Sequence, residues 1–468
     1  MDLFRTKKIE ALLETAQINS LAKTLGSADL ILLGIGCIIG TGIFVLTGVA
    51  AAHFAGPGIM LSFVLSGVTC AFAALAYSEL AAMVPVAGGA YTFAYVSLGE
   101  IVAFLVGWAL ILEYTVGSAA VAAGWSGYFV GLLASANIHL PTAWAAVPAS
   151  GGIANIPAII IVMFLTYLLI LGTRQSVTLN KILVLIKLSV VTLFLVLAIP
   201  HVNPVNWEPF LPFGFKGVAA GAAIVFFAYI GFDAVATAAE ECKNPNRDLP
   251  IGIVGSLVIC TILYILVAAA LTGTVPYSQL DNTEPVAFAL RYIGFDFASA
   301  IVAIGAICGI TTVLLVLIFG QTRVFLAMAR DGILPQSLAA IHPRFGTPHI
   351  ITPITGITVA TLSGTLPIDI IAELTNVGTL FAFIISSLGV LVLRYTQPNA
   401  HRPFRCPAVN IISPLAIFFC GYLMLNLPWV TWQFFGIWLT AGLMVYFLFS
   451  RKHSLLANKP PKENRTSG

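Results

Sequence analysis

Apolar runs of about twenty residues recur along this chain with only short polar stretches between them, and that pattern leaves few folds open. Bilayer hydrocarbon offers no water to backbone groups, so a spanning chain must satisfy its own hydrogen bonds within helices or a closed barrel. Runs of this length read as helices. Twelve are placed near 27–52, 57–83, 100–130, 155–172, 178–199, 217–240, 250–274, 295–325, 350–366, 370–393, 410–427 and 430–450. Composition agrees: 9% of the 468 residues are charged and mean hydropathy is +0.99, whereas a soluble domain carries about 25% charged residues. The expectation is an all-α membrane protein.

Only Leu427-Pro428-Trp429 separates the last two runs, so eleven spans is the rival count. Positive charge decides between them, because cytoplasmic loops collect Lys and Arg. With twelve spans, one side takes Arg5, Lys7, Lys8 and Lys23, then Arg174 and Lys181, then Lys243 and Arg247. It also takes Arg323, Arg330 and Arg344, then Arg394, Arg402 and Arg405, then the five basic residues beyond 450, giving 19 of 22. Only Lys216 and Arg291 fall opposite, and Lys187 lies inside a span. Both termini are therefore expected in the cytoplasm, in the cell membrane, and twelve is favoured. Met1–Ser20 is polar and lacks a secretory signal. Leu3 and Phe4 with Ile9, Leu12 and Leu13 read either as a short helix on the inner leaflet or as a disordered basic tail. Residues 451–468 read as a disordered tail.

Two of the runs contain residues that undo a helix at its middle. The first reads Gly34-Ile-Gly-Cys-Ile-Ile-Gly-Thr-Gly-Ile-Phe44 and the second Phe226-Phe-Ala-Tyr-Ile-Gly-Phe-Asp233. A broken helix at membrane depth must line a cavity and find partners for its freed groups. Glycine runs also serve close helix packing, but a matching break in a second run argues for the cavity. The breaks fall in spans one and six, an odd offset that makes 27–199 and 217–393 inverted copies of five spans each. Residues 1–26 precede the first copy, and the helices of 410–450 follow the second. Such paired breaks mark a transporter's binding site near the midplane. Amides freed around Gly40, Thr41 and Gly42 carry the positive end of a helix dipole and suit a carboxylate. Carbonyls left near Ile38, with Ala228 and Ile230 as a second set, accept protons from an ammonium group. Together they suit a zwitterion such as an α-amino acid.

The stretch from Leu25-Gly26-Ser27-Ala28-Asp29-Leu30 through Gly40-Thr41-Gly42-Ile43-Phe44 resembles the first span of the amino acid–polyamine–organocation superfamily. Phe226 to Pro250, with its Glu240-Glu241-Cys-Lys-Asn-Pro-Asn-Arg-Asp248 loop, is similar to the sixth span and following loop of the cationic amino acid transporter branch. The resemblance covers nearly all of 20–450. It implies the leucine-transporter-like fold and alternating access. By it, the Thr41, Gly42 and Ile43 amides hold a substrate carboxylate. Carbonyls of Ile38, Phe227, Ala228 and Ile230 meet its ammonium group, and the Phe227 ring closes the pocket as an outer gate. Ordinary helix packing is the alternative for Phe227.

Lys187 is the most expensive residue in the chain, since a charged lysine in mid-span costs about 2.5–3.5 kcal/mol on insertion scales. It stands roughly 13 Å of helix from the Thr178 end, and a lysine stem reaches only about half that. It must face a cavity, pair with a partner or be neutral. A lysine that gives up its proton in such a place is a candidate proton carrier. In sodium-coupled relatives of the implied fold a cation sits between spans one and eight near span five, so Lys187 is expected to replace it by contacting span-one carbonyls. A purely structural ammonium in a uniporter or exchanger is the alternative. Glu113 is the other mid-span ion and has three readings: pairing with Lys187, attracting a cationic substrate, or facing a water-filled crevice. Asp233 and Glu79 sit nearer span ends, as gate candidates, while Glu240, Glu241 and Asp248 read as loop salt bridges and helix caps.

The span-eight wall, Cys308 to Leu317, carries no charge. Neutral L-amino acids such as alanine are therefore the expected substrates, with proton-coupled uptake, and cationic ones are second. The expected partners are the amino acid and membrane lipid, with no nucleic acid and no obligate protein partner. No cofactor is expected beyond the coupling proton. A channel would show filter repeats or charged rings, and neither appears. A transporter-like sensor is the other non-carrier reading. Seven scattered cysteines show no metal spacing or disulfide framework, and no histidine motif or nucleophile supports an enzyme.

Overall fold

Helix is the state that lets an apolar run meet its own backbone demands. Our computed structural model accordingly builds regular structure from helices, over the residues it describes: 3–9, 25–85, 88–172, 177–237, 242–343, 345 and 347–458. The extended pairings among the described residues are two isolated bridges, Leu25 to Cys242 and Ile341 to Pro348. In chain order the helices are α1 (Ser27–Ile38), α2 (42–55), α3 (Ile59–Met83), α4 (Gly89–Ser97), α5 (Glu100–Ser135), α6 (Ile156–Leu171) and α7 (Val177–Ala198). They continue as α8 (Gly214–Val225), α9 (Pro245–Thr274), α10 (Pro285–Tyr292), α11 (Asp296–Arg330), α12 (Ile351–Thr365), α13 (Ile368–Thr396), α14 (Val409–Leu425) and α15 (Trp429–Val445). Among the described residues seven helical stretches are long and apolar enough to cross a membrane, and four more apolar helices are shorter. This is a multi-pass membrane protein.

Side chains such as Ile160, Phe164, Leu185, Val196 and Ile437 stand exposed on the outside of the bundle. A water-soluble surface does not carry so much apolar area, and lipid is the solvent it suits. Inside, α5 packs along α11 and α13, while α9 packs along α1 and α3. The second interrupted helix, α8, packs on α3, and the residues at both breaks, Ile38 and Ile39 in the first and Phe226 to Tyr229 in the second, are buried.

Several expectations need correction. The eighth run was expected to end near 325, but α11 continues to Arg330, so Arg330 is a helical rather than a loop residue. Arg394 likewise belongs to α13. The short helices α4 and α10 lie in stretches read as loops. Residues 3–9 are not a free tail: they pack on the protein, with the Ile101 amide donating to Leu3 and the Lys7 amide to Tyr95. The short-helix reading falls largely on residues outside the described ones, Leu12 and Leu13 among them. Residues 451–458 are held against the start of α5 through Ser454, which donates to Glu100, and against the end of α11 through Leu455, whose amide donates to Asp331, so they are not a free tail. Leu12, Leu13, Lys23, Arg174, Glu240, Glu241, Arg344 and 459–468 lie outside the described residues.

Candidate substrate site

The first break begins where Ile39 turns extended, at φ −74° and ψ 105°. Helix resumes with a wide π turn over Gly42–Leu46, a distortion frequent at functional sites. In the second, α8 tightens into a 3₁₀ turn over Phe226–Tyr229 and then opens at Ile230, with ψ 133°. Gly231 follows with φ +116°, a backbone state that favours glycine. The two breaks touch. A side chain at Gly42 would collide with the backbone of Ala228, and one at Gly231 would sit 2.9 Å from the Cys37 carbonyl oxygen. Glycine is required here because two backbones share the space.

A small cavity lies between the breaks. Cys37, Ile38, Gly40, Thr41 and Gly42 line it from the first, and Phe227 and Ile230 from the second. Glu113, Gly117 and Val121 of α5 form the facing wall, completed by Val313 and Leu317 of α11 and Thr375 of α13. Ile43 and Ala228 are buried beside residues of the wall and do not themselves line the cavity. The early amides of a helix lack intrahelical partners, and Gly40, Thr41 and Gly42, where helix resumes, line this cavity.

Freed carbonyls are met by donors from neighbouring helices. Lys187 is fully buried, and its Nζ donates to the Gly36 carbonyl at 2.6 Å. Gly309 of α11 makes the room, since a Cβ there would sit 2.9 Å from the lysine stem. Asn376 Nδ2 donates to the carbonyls of Ala223 and Ile224, at 2.7 and 3.1 Å, closing the end of α8. The Tyr128 hydroxyl donates to Phe44, and that of Tyr264 lies within reach of both Ile38 and Ala228. Sequence reading found Lys187 among these donors and missed the rest. A buried Asn or Tyr in an apolar run gives no sign of which carbonyl it serves.

Glu113 and Lys187 are not paired: Glu113 lines the cavity, and Lys187 stands behind α1. The Glu113 side chain is 2% exposed, and its Oε2 has no hydrogen-bond partner among the described residues. Asp233 is buried just past the second break. Glu79 is held by Arg394 and Arg402. Asp248 lies in the first turn of α9, where a carboxylate meets the positive end of the helix dipole. No group of three or more residues suited to holding a metal ion occurs among the described residues.

Comparison with known proteins gives a consistent result. The family described as amino acid permease matches residues 25–450. The branched-chain amino acid permease BcaP of Bacillus subtilis (strain 168) is 51% identical, over 97% of this chain and 99% of its own length. The methylthioribose transporter of the same organism is 48% identical, with the same coverage of 97% and 99%. Human cationic amino acid transporter 4 is 38% identical over 84% of this chain and 63% of its own.

Proposed function

Because this chain belongs to the amino acid permease family, whose members here are transporters and not enzymes, we propose that it takes up neutral aliphatic L-amino acids across the cell membrane by alternating access, driven by protons. The observation that carries this reading is the pair of abutting breaks. Amides around Gly40–Gly42 serve the substrate carboxylate, carbonyls of Ile38 and Ala228 serve its ammonium group, and Phe227 closes over the cavity. Val121, Val313 and Leu317 offer the side chain an apolar wall. The likeness to a branched-chain permease supports branched aliphatic substrates such as valine.

The architecture proposed is twelve spans with both termini in the cytoplasm and a five-plus-five inverted repeat. Its support is a shared succession after each break. The lengths run 25, 9 and 36 residues in α3, α4 and α5. They run 30, 8 and 35 residues in α9, α10 and α11. Lys187 is the proposed coupling residue. Its ammonium holds the Gly36 carbonyl beside the break, and loss of its proton weakens that contact by removing the charge that strengthens it. A second reading, transport of arginine or lysine, draws on the unpartnered Glu113 oxygen at the cavity and on the cationic relatives.

The test is uptake by the purified protein in liposomes of labelled L-alanine, L-valine, L-arginine and methylthioribose, with and without an inward proton gradient. Valine and alanine uptake that rises with the gradient is expected. Arginine uptake indifferent to the gradient overturns both substrate and coupling. Uptake of methylthioribose alone overturns the zwitterion reading.

A further inference from the structure

Tyr264 of α9 is wholly buried, and its hydroxyl oxygen lies 2.9 Å from the carbonyl oxygen of Ile38 and 2.7 Å from that of Ala228. Ile38 is the last residue of α1, and Ala228 stands in the tight turn that ends α8. One side chain from a third helix therefore touches the carbonyl edge of both breaks. A phenol carries a single proton to donate. At any moment it serves one of the two carbonyls and leaves the other short of a donor. The ring has no freedom to turn away. Phe63 and Tyr229 pack on it, each with centroids 5.3 Å distant, and the Tyr229 hydroxyl is itself tied to the Phe63 carbonyl at 2.8 Å.

A purely structural cap serves one carbonyl well. A fixed hydroxyl between two acceptors, each from a different interrupted helix, instead keeps the pair at a set separation with one donor missing. An ammonium group supplies that donor. We propose that Tyr264 is a positioning residue for the substrate's ammonium group. It holds the Ile38 and Ala228 carbonyls in register, and its O–H donates to one of them when the ammonium takes the other. This rests on the reading that the substrate's ammonium meets these carbonyls. It also gives the site a way to prefer an amino acid over an acid that lacks the amine, since a hydroxyl in its place brings one proton instead of three.

The experiment compares L-valine with its hydroxy acid, 2-hydroxy-3-methylbutanoate, as competitors of labelled L-valine uptake in liposomes. The intact protein and Tyr264→Phe are measured side by side. The half-saturation concentration for valine is expected to rise about tenfold in the variant, the scale of one lost hydrogen bond. The inhibition constant of the hydroxy acid and the maximal rate stay within about twofold. Equal weakening of both compounds, or no change for valine, overturns the proposal. If the intact protein does not discriminate valine from its hydroxy acid, the ammonium reading itself fails and the role of Tyr264 falls with it. Should Tyr264→Phe not reach the membrane folded, 3-fluorotyrosine at position 264 keeps the packing and alters only the donor. A shift for valine without one for the hydroxy acid supports the proposal, and any other result overturns it.

Discussion

Charge is treated in opposite ways at the centre of this molecule and at the end where residues 3–9 and 451–458 pack. At that end the carboxylates of Glu79, Glu100 and Asp331 each meet two or more donors. Glu79 accepts from Arg394 at 2.7 and 2.9 Å, from Arg402 at 3.2 Å and from the Cys406 amide at 2.8 Å. Glu100 accepts from Arg5, Tyr95, Tyr446 and Ser454, at 3.2, 2.9, 3.1 and 2.6 Å. Asp331 takes Lys7 and Tyr91, both at 2.6 Å. At the centre Lys187 has one carbonyl, and Glu113 has an oxygen with no partner among the described residues. Burying an ion is costly in both places. Saturated ions hold the bundle's end together, whereas of the under-served ions Glu113 lines the cavity and Lys187 stands behind the first break.

The sharpest way to break this contrast is to remove a saturated carboxylate. Glu79→Ala leaves Arg402 buried and deprived of its ion pair, at 1% side-chain exposure. Breaking such a pair costs about 3–5 kcal/mol. The expected result is a large fall in the thermal unfolding midpoint, with substrate half-saturation unchanged in whatever protein remains folded. An unfolding midpoint like that of the intact protein would place Glu79 with the central ions instead.

Next in size is Lys187→Met, which fills the slot beside Gly309 with an uncharged chain of similar length. Loss of a hydrogen bond from a charged donor amounts to about 1.5–3 kcal/mol, or roughly 10–150-fold in rate or affinity. Gradient-driven uptake should fall by that factor while the unfolding midpoint stays near that of the intact protein. Unchanged proton-driven uptake sinks the coupling role. Phe227→Ala comes third. A gate lost from the cavity should speed exchange of bound substrate and weaken its retention about tenfold, seen as faster efflux from preloaded liposomes. Efflux at the original rate returns Phe227 to plain packing.

Much of this contrast was legible in the sequence, and the illegible part has a physical reason. Both breaks were readable because glycine and interrupted apolar pattern are local signals. So was the cost of Lys187, because a lone cation in an apolar run has only a few remedies. What the sequence hid were relations between distant residues. Nothing local tells that Tyr264 serves two carbonyls 226 and 36 positions away, or that Asn376 closes the end of α8. The terminal segments misled for the same reason. Residues 3–9 look like a basic tail by composition, yet Arg5 and Lys7 have buried and half-buried carboxylates waiting at Glu100 and Asp331. Polar composition predicts disorder only when no partner is supplied elsewhere in the chain.

The smallest expected effect tests whether saturation itself confers robustness. Ser454 donates to a carboxylate oxygen of Glu100 that Tyr95 also serves, so Ser454→Ala removes one donor of several and strands no charge. A single hydrogen bond contributes about 0.5–1.5 kcal/mol net, and the remaining donors can tighten on the same oxygens. The unfolding midpoint should drop slightly and valine transport should not change at all. If Ser454→Ala instead alters the transport rate, the joint hold of both terminal segments on Glu100 is part of the transport cycle. The division between a structural end and a functional centre would then have to be redrawn, with α4, which carries Tyr95, counted among the moving parts.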